Sequence, residues 1–175
     1  MHYVVATRFN KETWIQNKEY RDRFNMKGSI YGIPREPSKK IFDNHPFFVI
    51  EMNLSEGKIM GVGLVPNRLY NDKHYNIYKD SNYNRFIFKS EYRIDRSEML
   101  LNKESKVFIK VFEEILFNIS KRYKKGQGFT QLPSWMRHTK AYDYNSVLVN
   151  LFKKKFGHKI QSEDKVLSMQ SNLTK

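Results

Sequence analysis

The residues best suited to binding chemistry are cationic, and they are concentrated in the last third of the chain. Residues 121–160 carry ten Lys and Arg against one acidic residue, a net charge of +9, whereas all 175 residues together carry +14. A local excess of this kind matches a polyanion such as nucleic acid, because each cation can neutralise a phosphate. We predict contacts to nucleic acid from Lys121, Arg122, Lys124, Lys125, Gln127, Trp135, Arg137 and Lys140.

A Gly-Gln-Gly sequence at 126–128 interrupts this basic segment. Glycines lack a Cβ, so the backbone here can approach a phosphate closely and aim its N–H groups at it. Phe129 and Trp135 offer flat faces on which bases could stack. Two other interpretations stay open, in which Lys124 and Lys125 only complement the end of a helix and Trp135 packs in the core.

Local catalytic motifs are absent from the sequence. It contains no Walker A, dinucleotide-binding, nucleophile-elbow or HExxH pattern, and no two of its five histidines are three or four residues apart. We therefore expect neither a cofactor nor a bound metal. A metal-dependent nuclease built from dispersed carboxylates stays open as an alternative, with Glu51, Glu91 and Asp95 as its candidate ligands.

The composition indicates one intracellular globular domain. The chain has no cysteine, which excludes disulfides and thiolate chemistry, and its 39% hydrophobic residues can form a core. No stretch approaches the roughly 20 apolar residues of a membrane span, and the apolar run at the start is too short for a signal peptide. We expect a single domain over residues 1–160 with a tail over 161–175, no membrane partner, and a location in the cytoplasm, the nucleus or a viral particle.

The hydrophobic periodicity predicts strands alternating with helices. The predicted strands are 2–9, 46–53, 58–65 and 85–95, with loops over 25–45 and 66–83. The predicted helices are about 11–24, starting at Asn10, about 104–121, starting near Asn102, and a third one containing Tyr144, Val147, Leu148, Leu151 and Phe152. This order predicts an α+β fold with a curved, mostly antiparallel sheet or a small open β-barrel, flanked by helices and followed by a basic helical part.

Two motifs carry a resemblance to a known family. The strand VVATRF leads into a helix with an early tryptophan, Trp14, and the hairpin FFVIEMN-LSEG-KIMGVGLV follows a loop. This arrangement resembles the PUA-like superfamily, in particular its YTH and EVE branches, over about residues 1–100. The segment GQGFTQLPSWMRH is similar to uncharacterised proteins of large DNA viruses of eukaryotes.

The resemblance implies an open β-barrel that binds RNA or DNA and admits one base into a pocket. By position, it implies Trp14 as one wall of the pocket, with Asn10 at the helix entry and Asn53 on the hairpin side. Tyr31 would supply an aromatic ring where YTH domains have a further tryptophan, and core packing is the alternative for Trp14. The leading prediction is thus a nucleic-acid-binding protein. A virion assembly protein whose basic surface meets acidic protein or genome is one alternative, and the metal-dependent nuclease is the other.

Overall fold

The chain folds into two main β-sheets and a set of helices. The computed structural model of the protein describes residues 3–37, 45–119, 127–132, 138–139 and 142–157. Its strands are β1 (Val4–Phe9), β2 (Ser29–Ile33), β3 (Phe47–Asn53), β4 (Lys58–Val65), β5 (Phe86–Ser90), β6 (Tyr92–Asp95), β7 (Thr130–Gln131) and the short pair β8 (His138–Thr139) and β9 (Tyr142–Asp143). Its helices are α1 (Lys11–Arg23), α2 (Arg96–Met99), α3 (Lys103–Glu113) and α4 (144–157), with a 3-10 turn at Ser81–Asn84 and a π-helical turn at Glu114–Ile119. The predicted α+β class is confirmed, and the predicted tail lies outside the described residues.

The larger sheet has five strands in the order β6-β4-β3-β1-β7. β3 and β4 pair in antiparallel orientation, which confirms the predicted hairpin. β1 lies parallel to β3, because the long connection through α1 and β2 lets the chain return in the same direction. The larger sheet is therefore mixed, with β1–β3 parallel and its other three pairings antiparallel, and the described strands form no closed barrel.

A second sheet pairs β2 with β5 in antiparallel orientation. The predicted loop over 25–45 was wrong at Ser29–Ile33, where every residue is buried. Gly32 lies within the predicted loop, and its missing Cβ admits another backbone segment. A Cβ added at Gly32 would lie 2.1 Å from the carbonyl oxygen of Tyr83.

The single strand predicted over 85–95 is divided between the two sheets. β5 pairs with β2, whereas β6 pairs with β4 at the edge of the larger sheet. Glu91, which is exposed, separates them. The chain thus leaves one sheet and enters the other within one residue, a change that hydrophobicity alone does not indicate.

The larger sheet is covered on both faces. Phe48 and Ile50 of β3 belong to a core shared with α3 and α4, and Phe47 and Val49 belong to a core shared with β2, β5 and Tyr20 of α1. Every residue of β3 is buried, which explains its uninterrupted apolar sequence.

Polar side chains cap the starts of α1 and α3, as the sequence predicts. Asn10 forms a capping box with Thr13 at the start of α1, and Asn102 accepts from two backbone N–H groups at the start of α3. Both caps confirm the predictions. The helix predicted over about 104–121 is α-helical only to Glu113 and then continues as the π-helical turn.

Candidate functional site

A cleft of about 150 Å³ opens beside the carboxyl end of β1. It is lined by Thr7, Arg8, Phe9, Asn10, Thr13, Gly32, Ile33, Leu54, Tyr78, Tyr83 and Gly128. We call it the Arg8 cleft, after the cation in its lining. A cavity of this size accommodates a group about as large as one aromatic ring.

Arg8 is oriented by the neighbouring strand. Its Nη2 donates to Thr130 Oγ1 at 2.8 Å and to the carbonyl oxygen of Gly128 at 3.3 Å. Burial lowers the pKa of this guanidinium, but arginine stays protonated at neutral pH. A half-buried cation held by fixed partners suits a phosphate or the acceptor atoms of a base.

Two tyrosines give the cleft an aromatic lining. The rings of Tyr78 and Tyr83 meet edge to face, with centroids 6.0 Å apart. The hydroxyl of Tyr78 accepts from Asn17 Nδ2 at 3.0 Å, and burial raises the pKa of this phenol. Tyr83 is only half-buried, so it provides aromatic surface that a base could contact.

The start of α1 forms the polar rim of the cleft. Asn10 Oδ1 accepts from the Thr13 backbone N–H at 2.8 Å, and Thr13 Oγ1 accepts from the Asn10 backbone N–H at 3.0 Å. The backbone N–H of Lys11 donates to Ser55 Oγ at 2.9 Å. The rim is therefore tied to the turn between β3 and β4, which keeps its geometry fixed.

The basic segment of the sequence enters the sheet at this cleft. Gly128, with a φ of +77°, lines the cleft, and the next residues form β7, which pairs with β1. The Phe129 ring packs against core rings, with its centroid 5.5 Å from that of Phe47. Phe129, whose ring the sequence suggested for base stacking, therefore anchors β7 through this contact.

An ionic network centred on the buried Glu51–Arg93 pair lies under Trp14. Arg93 bonds to both carboxylate oxygens of Glu51, at 2.7 Å from Nη2 and 2.9 Å from Nε, and its Nη1 donates to Asp95 at 2.8 Å. Tyr31 donates its hydroxyl proton to Glu51 at 2.8 Å. We call these four residues the Glu51 network. The Trp14 ring centroid lies 6.0 Å from the Arg93 guanidinium, which places a cation under an aromatic ring.

The network shifts the pKa values of its members. Burial alone would lower the pKa of Arg93, but the charge of Glu51 and the hydrogen bonds to Glu51 and Asp95 outweigh it and raise the pKa. Burial, and then the charge of Glu51, raises the pKa of Tyr31. Burial opposes ionisation of Asp95, but its hydrogen bond with Arg93 prevails and lowers the pKa. Arg93 therefore stays protonated and Asp95 ionised at neutral pH, and Tyr31 keeps its hydroxyl proton.

Two glycines of the GVG sequence in β4 make room for this network. A Cβ at Gly61 would lie 2.8 Å from Arg93 Nη2, and a Cβ at Gly63 would lie 2.4 Å from the Tyr31 hydroxyl oxygen. The groups that approach these two glycines are thus the Arg93 guanidinium and the Tyr31 hydroxyl.

The four residues implied as a base pocket lie in different surroundings. Asn10 lines the Arg8 cleft, whereas Trp14 packs edge-on against Phe9, with the ring centroids 5.3 Å apart. Tyr31 is buried in the Glu51 network, and Asn53 is buried and caps the turn between β3 and β4. The described structure does not bring all four to one cavity.

Most of the predicted basic contacts fall outside the described residues. Of that set, Gln127 is described, and it is exposed beside the cleft-lining Gly128. The residues outside the described ranges are Lys121, Arg122, Lys124, Lys125, Trp135, Arg137 and Lys140.

The three carboxylates of the nuclease alternative do not form one cation site. Glu51 and Asp95 both pair with the Arg93 guanidinium, whose positive charge disfavours a metal ion beside them, and Glu91 is exposed at the boundary between β5 and β6. Among the described residues, no group of three or more His, Asp or Glu side chains is arranged to hold a metal ion.

The cleft contains functional candidates that sequence reasoning missed, namely Arg8, Thr13, Tyr78 and Tyr83. Arg8 carried a usable signal, since it is the one charged residue in the strand VVATRF. The tyrosines lie in a loop rich in Tyr and Asn, where nothing distinguished them before folding.

Comparison of the chain with protein-family models, with curated proteins and with solved structures finds no match. In the described part of the chain, every helix is too short or too polar to cross a bilayer.

Proposed function

We propose that the protein binds nucleic acid, with the basic segment contacting phosphates and the Arg8 cleft contacting one nucleotide. One observation supports this most directly: the basic region of the sequence leads, through Gln127 and Gly128, into the wall of a cleft that contains an arginine and two tyrosines. Phosphate contacts supply affinity without regard to sequence, and a small pocket adds contacts to a base.

In this proposal Arg8 and Tyr83 have separate roles. Arg8 donates to a phosphate or to base acceptors, because its guanidinium is held by Thr130 and Gly128 at the cleft wall. Tyr83 offers partly accessible aromatic surface for stacking, which contributes about 1–3 kcal/mol per base. The cleft volume suits one ring and not a base pair, so a single-stranded or flipped-out nucleotide is the expected ligand.

The PUA-like relationship is part of the same proposal. Its support is the strand–helix opening with Trp14 and the GVG hairpin, together with the α+β class. A location in the cytoplasm, the nucleus or a viral particle follows from the proposed ligand and from the absence of cysteine in the sequence.

The direct test is fluorescence anisotropy with labelled single- and double-stranded RNA and DNA of one length. We expect Arg8→Gln and Tyr83→Leu each to weaken binding about fivefold or more, while the matched controls Arg23→Gln and Tyr70→Leu, outside the cleft, leave it unchanged. No binding of any of the four nucleic acids at low salt would overturn the proposal. If Arg8→Gln and Tyr83→Leu both bind as tightly as the wild type, the nucleotide contact lies outside the cleft.

Two further measurements separate the alternatives. Association that depends on protein concentration and is insensitive to salt favours the virion assembly role, and nicking of a plasmid that requires magnesium favours the nuclease.

Trp14 has a test of its own, because the resemblance assigns it to a base pocket and the structure places it over Arg93. We expect Trp14→Phe to keep the contact with Phe9 and to stay folded. Lower affinity in the folded variant supports a pocket role for Trp14, whereas a lower melting temperature with unchanged affinity assigns Trp14 to packing.

A further inference from the structure

A groove of about 680 Å³ runs along α3 at the end of the molecule formed by the turn between β3 and β4. Its apolar lining comes from Leu54, Leu100, Val107, Ile109 and Phe117. Leu101, next to Leu100, is 88% exposed, and Val107 is 43% exposed. Large apolar side chains clustered on a surface mark an interaction site more often than scattered ones do.

The charges around this groove are predominantly positive. Lys103, Lys106 and Lys110 lie along one side of α3 and are exposed, and no ion pair involves them within the described ranges. Of the two acidic residues in the lining, Glu113 pairs with Arg96, and Glu114 accepts from the neutral amide of Asn118 at 2.7 Å. Because the lining also contains three lysines, its net charge is positive.

The π-helical turn Glu114–Ile119 contributes Glu114, Phe117 and Asn118 to one end of the groove. Such turns are rare and occur frequently at functional sites. The groove is thus bounded by an irregular helical segment at one end and by the Leu100–Leu101 corner between α2 and α3.

We propose that this groove, the α3 groove, binds an amphipathic helix of a protein partner that presents leucine-like side chains flanked by acidic residues. Apolar side chains at helical spacing fit the apolar part of a groove that runs along a helix, and carboxylates beside them complement the three lysines. The exposed apolar side chains, such as Leu101 and Val107, are aliphatic and offer no flat face for bases, and Phe117 is buried. This favours a protein over nucleic acid as the occupant. The proposal is independent of nucleic-acid binding.

The probe is a labelled synthetic peptide of about 16 residues, long enough to form helix in water, with leucines along one face and glutamates on both sides. A second peptide carries lysines in place of the glutamates. We expect the full-length protein to bind the glutamate peptide about tenfold more tightly than the lysine peptide. Leu101→Gln combined with Val107→Gln should weaken that binding about tenfold.

Charge reversal at Lys106→Glu with Lys110→Glu should invert the preference between the two peptides. The control pair Lys18→Glu with Lys27→Glu changes the net charge by the same amount at exposed sites outside the groove. It should leave the preference between the two peptides unchanged. Thermal melts establish that each variant is folded. Absence of binding, or equal loss in the control pair, would overturn the proposal. Displacement of the peptide by a single-stranded oligonucleotide would assign the groove to nucleic acid, and a dimer abolished by Leu101→Gln would assign it to a second copy of this chain, so either result would also overturn it.

Discussion

Glu51 illustrates what one residue gains from its surroundings. In the sequence it is a carboxylate in an apolar strand and therefore a candidate metal ligand. In the structure it is 1% exposed and bonded to Arg93 and Tyr31. Burying two opposite charges is costly, and removing one partner leaves an uncompensated charge.

Loss of Arg93 should therefore be among the most destabilising single changes. We expect Arg93→Met to cost about 3–5 kcal/mol at neutral pH, because Glu51 is left without its counter-ion. Urea denaturation of Arg93→Met, Glu51→Gln and the double variant measures the coupling between them, and the double variant should lose less than the sum of the single losses.

The matched control is Arg96→Met, which removes an arginine from the less buried Arg96–Glu113 pair. We expect a smaller loss there, because water screens that pair more. If Arg93→Met and Arg96→Met lose equal free energy of unfolding, the deeper burial of the Arg93–Glu51 pair does not raise the cost of removing its arginine.

Asp95 should give the network a measurable pH dependence. Its pKa in the folded protein is lowered by the hydrogen bond with Arg93, against the opposing effect of burial. A lowered folded pKa stabilises the fold above the unfolded value of about 3.9 and loses this contribution as the pH falls through the folded pKa. The difference in free energy of unfolding between the wild type and Asp95→Asn should therefore be largest at pH 5 and above, and should shrink below about pH 4. A difference that grows in acid would contradict this.

At the scale of elements, glycine decides where two segments can approach. Gly32 lies within a predicted loop, but in the structure it is part of β2 and lies against the backbone of Tyr83. Gly61 and Gly63 similarly give β4 room for charged and hydroxyl groups from other elements. In each case the position requires the absence of a side chain and not a flexible backbone.

Gly32→Ala should accordingly destabilise the protein and disturb the Arg8 cleft, because its Cβ would lie 2.1 Å from a backbone oxygen that has little freedom to move. We expect a loss of about 2 kcal/mol or more, in the range of overpacking substitutions. Gly157→Ala is the control, since nothing lies within 4 Å of its added Cβ and alanine favours the helix. Thermal melts of both variants measure the difference, and equal melting temperatures would contradict the predicted clash.

At the scale of the whole molecule, the dominant property is the uneven charge. The net +14 is concentrated in residues 121–160, which carry +9. Self-repulsion of this magnitude disfavours a compact chain in isolation, so a polyanion should stabilise the folded protein as well as bind it.

Binding of nucleic acid should therefore weaken steeply with salt. If about four to six phosphates are neutralised, a plot of log K against log salt concentration has a slope of about −3 to −4 on single strands. Replacing Lys121, Arg122, Lys124 and Lys125 with alanine should weaken binding to all sequences and flatten this slope. The four-charge control Lys18, Arg23, Lys27 and Lys79 to alanine should leave the slope nearly unchanged. Equal slopes for the wild type and the first variant would place the phosphate contacts elsewhere.

The sequence by itself determined the features that depend on neighbouring residues. It indicated β1, the hairpin of β3 and β4, and the caps at Asn10 and Asn102, because hydrophobic period and capping act over a few residues. It also located the excess charge, since charge is additive along the chain. Of the predicted site residues, Asn10 lines the Arg8 cleft, whereas the sequence did not single out Arg8 or Tyr83.

Only the tertiary structure decided which distant segments meet. The parallel pairing of β1 with β3, the burial of β2 and the division of 85–95 between two sheets depend on contacts far apart in sequence, and local propensity does not encode these partners. The same holds for function at the residue level. The pairing of β6 with β4 places Arg93 opposite Gly63, and the pairing of β3 with β4 places Glu51 opposite Gly61, two residues away. Arg93 can therefore reach Glu51 and neutralise its charge. Tyr83 reaches the Arg8 cleft because Gly32 leaves room for its backbone.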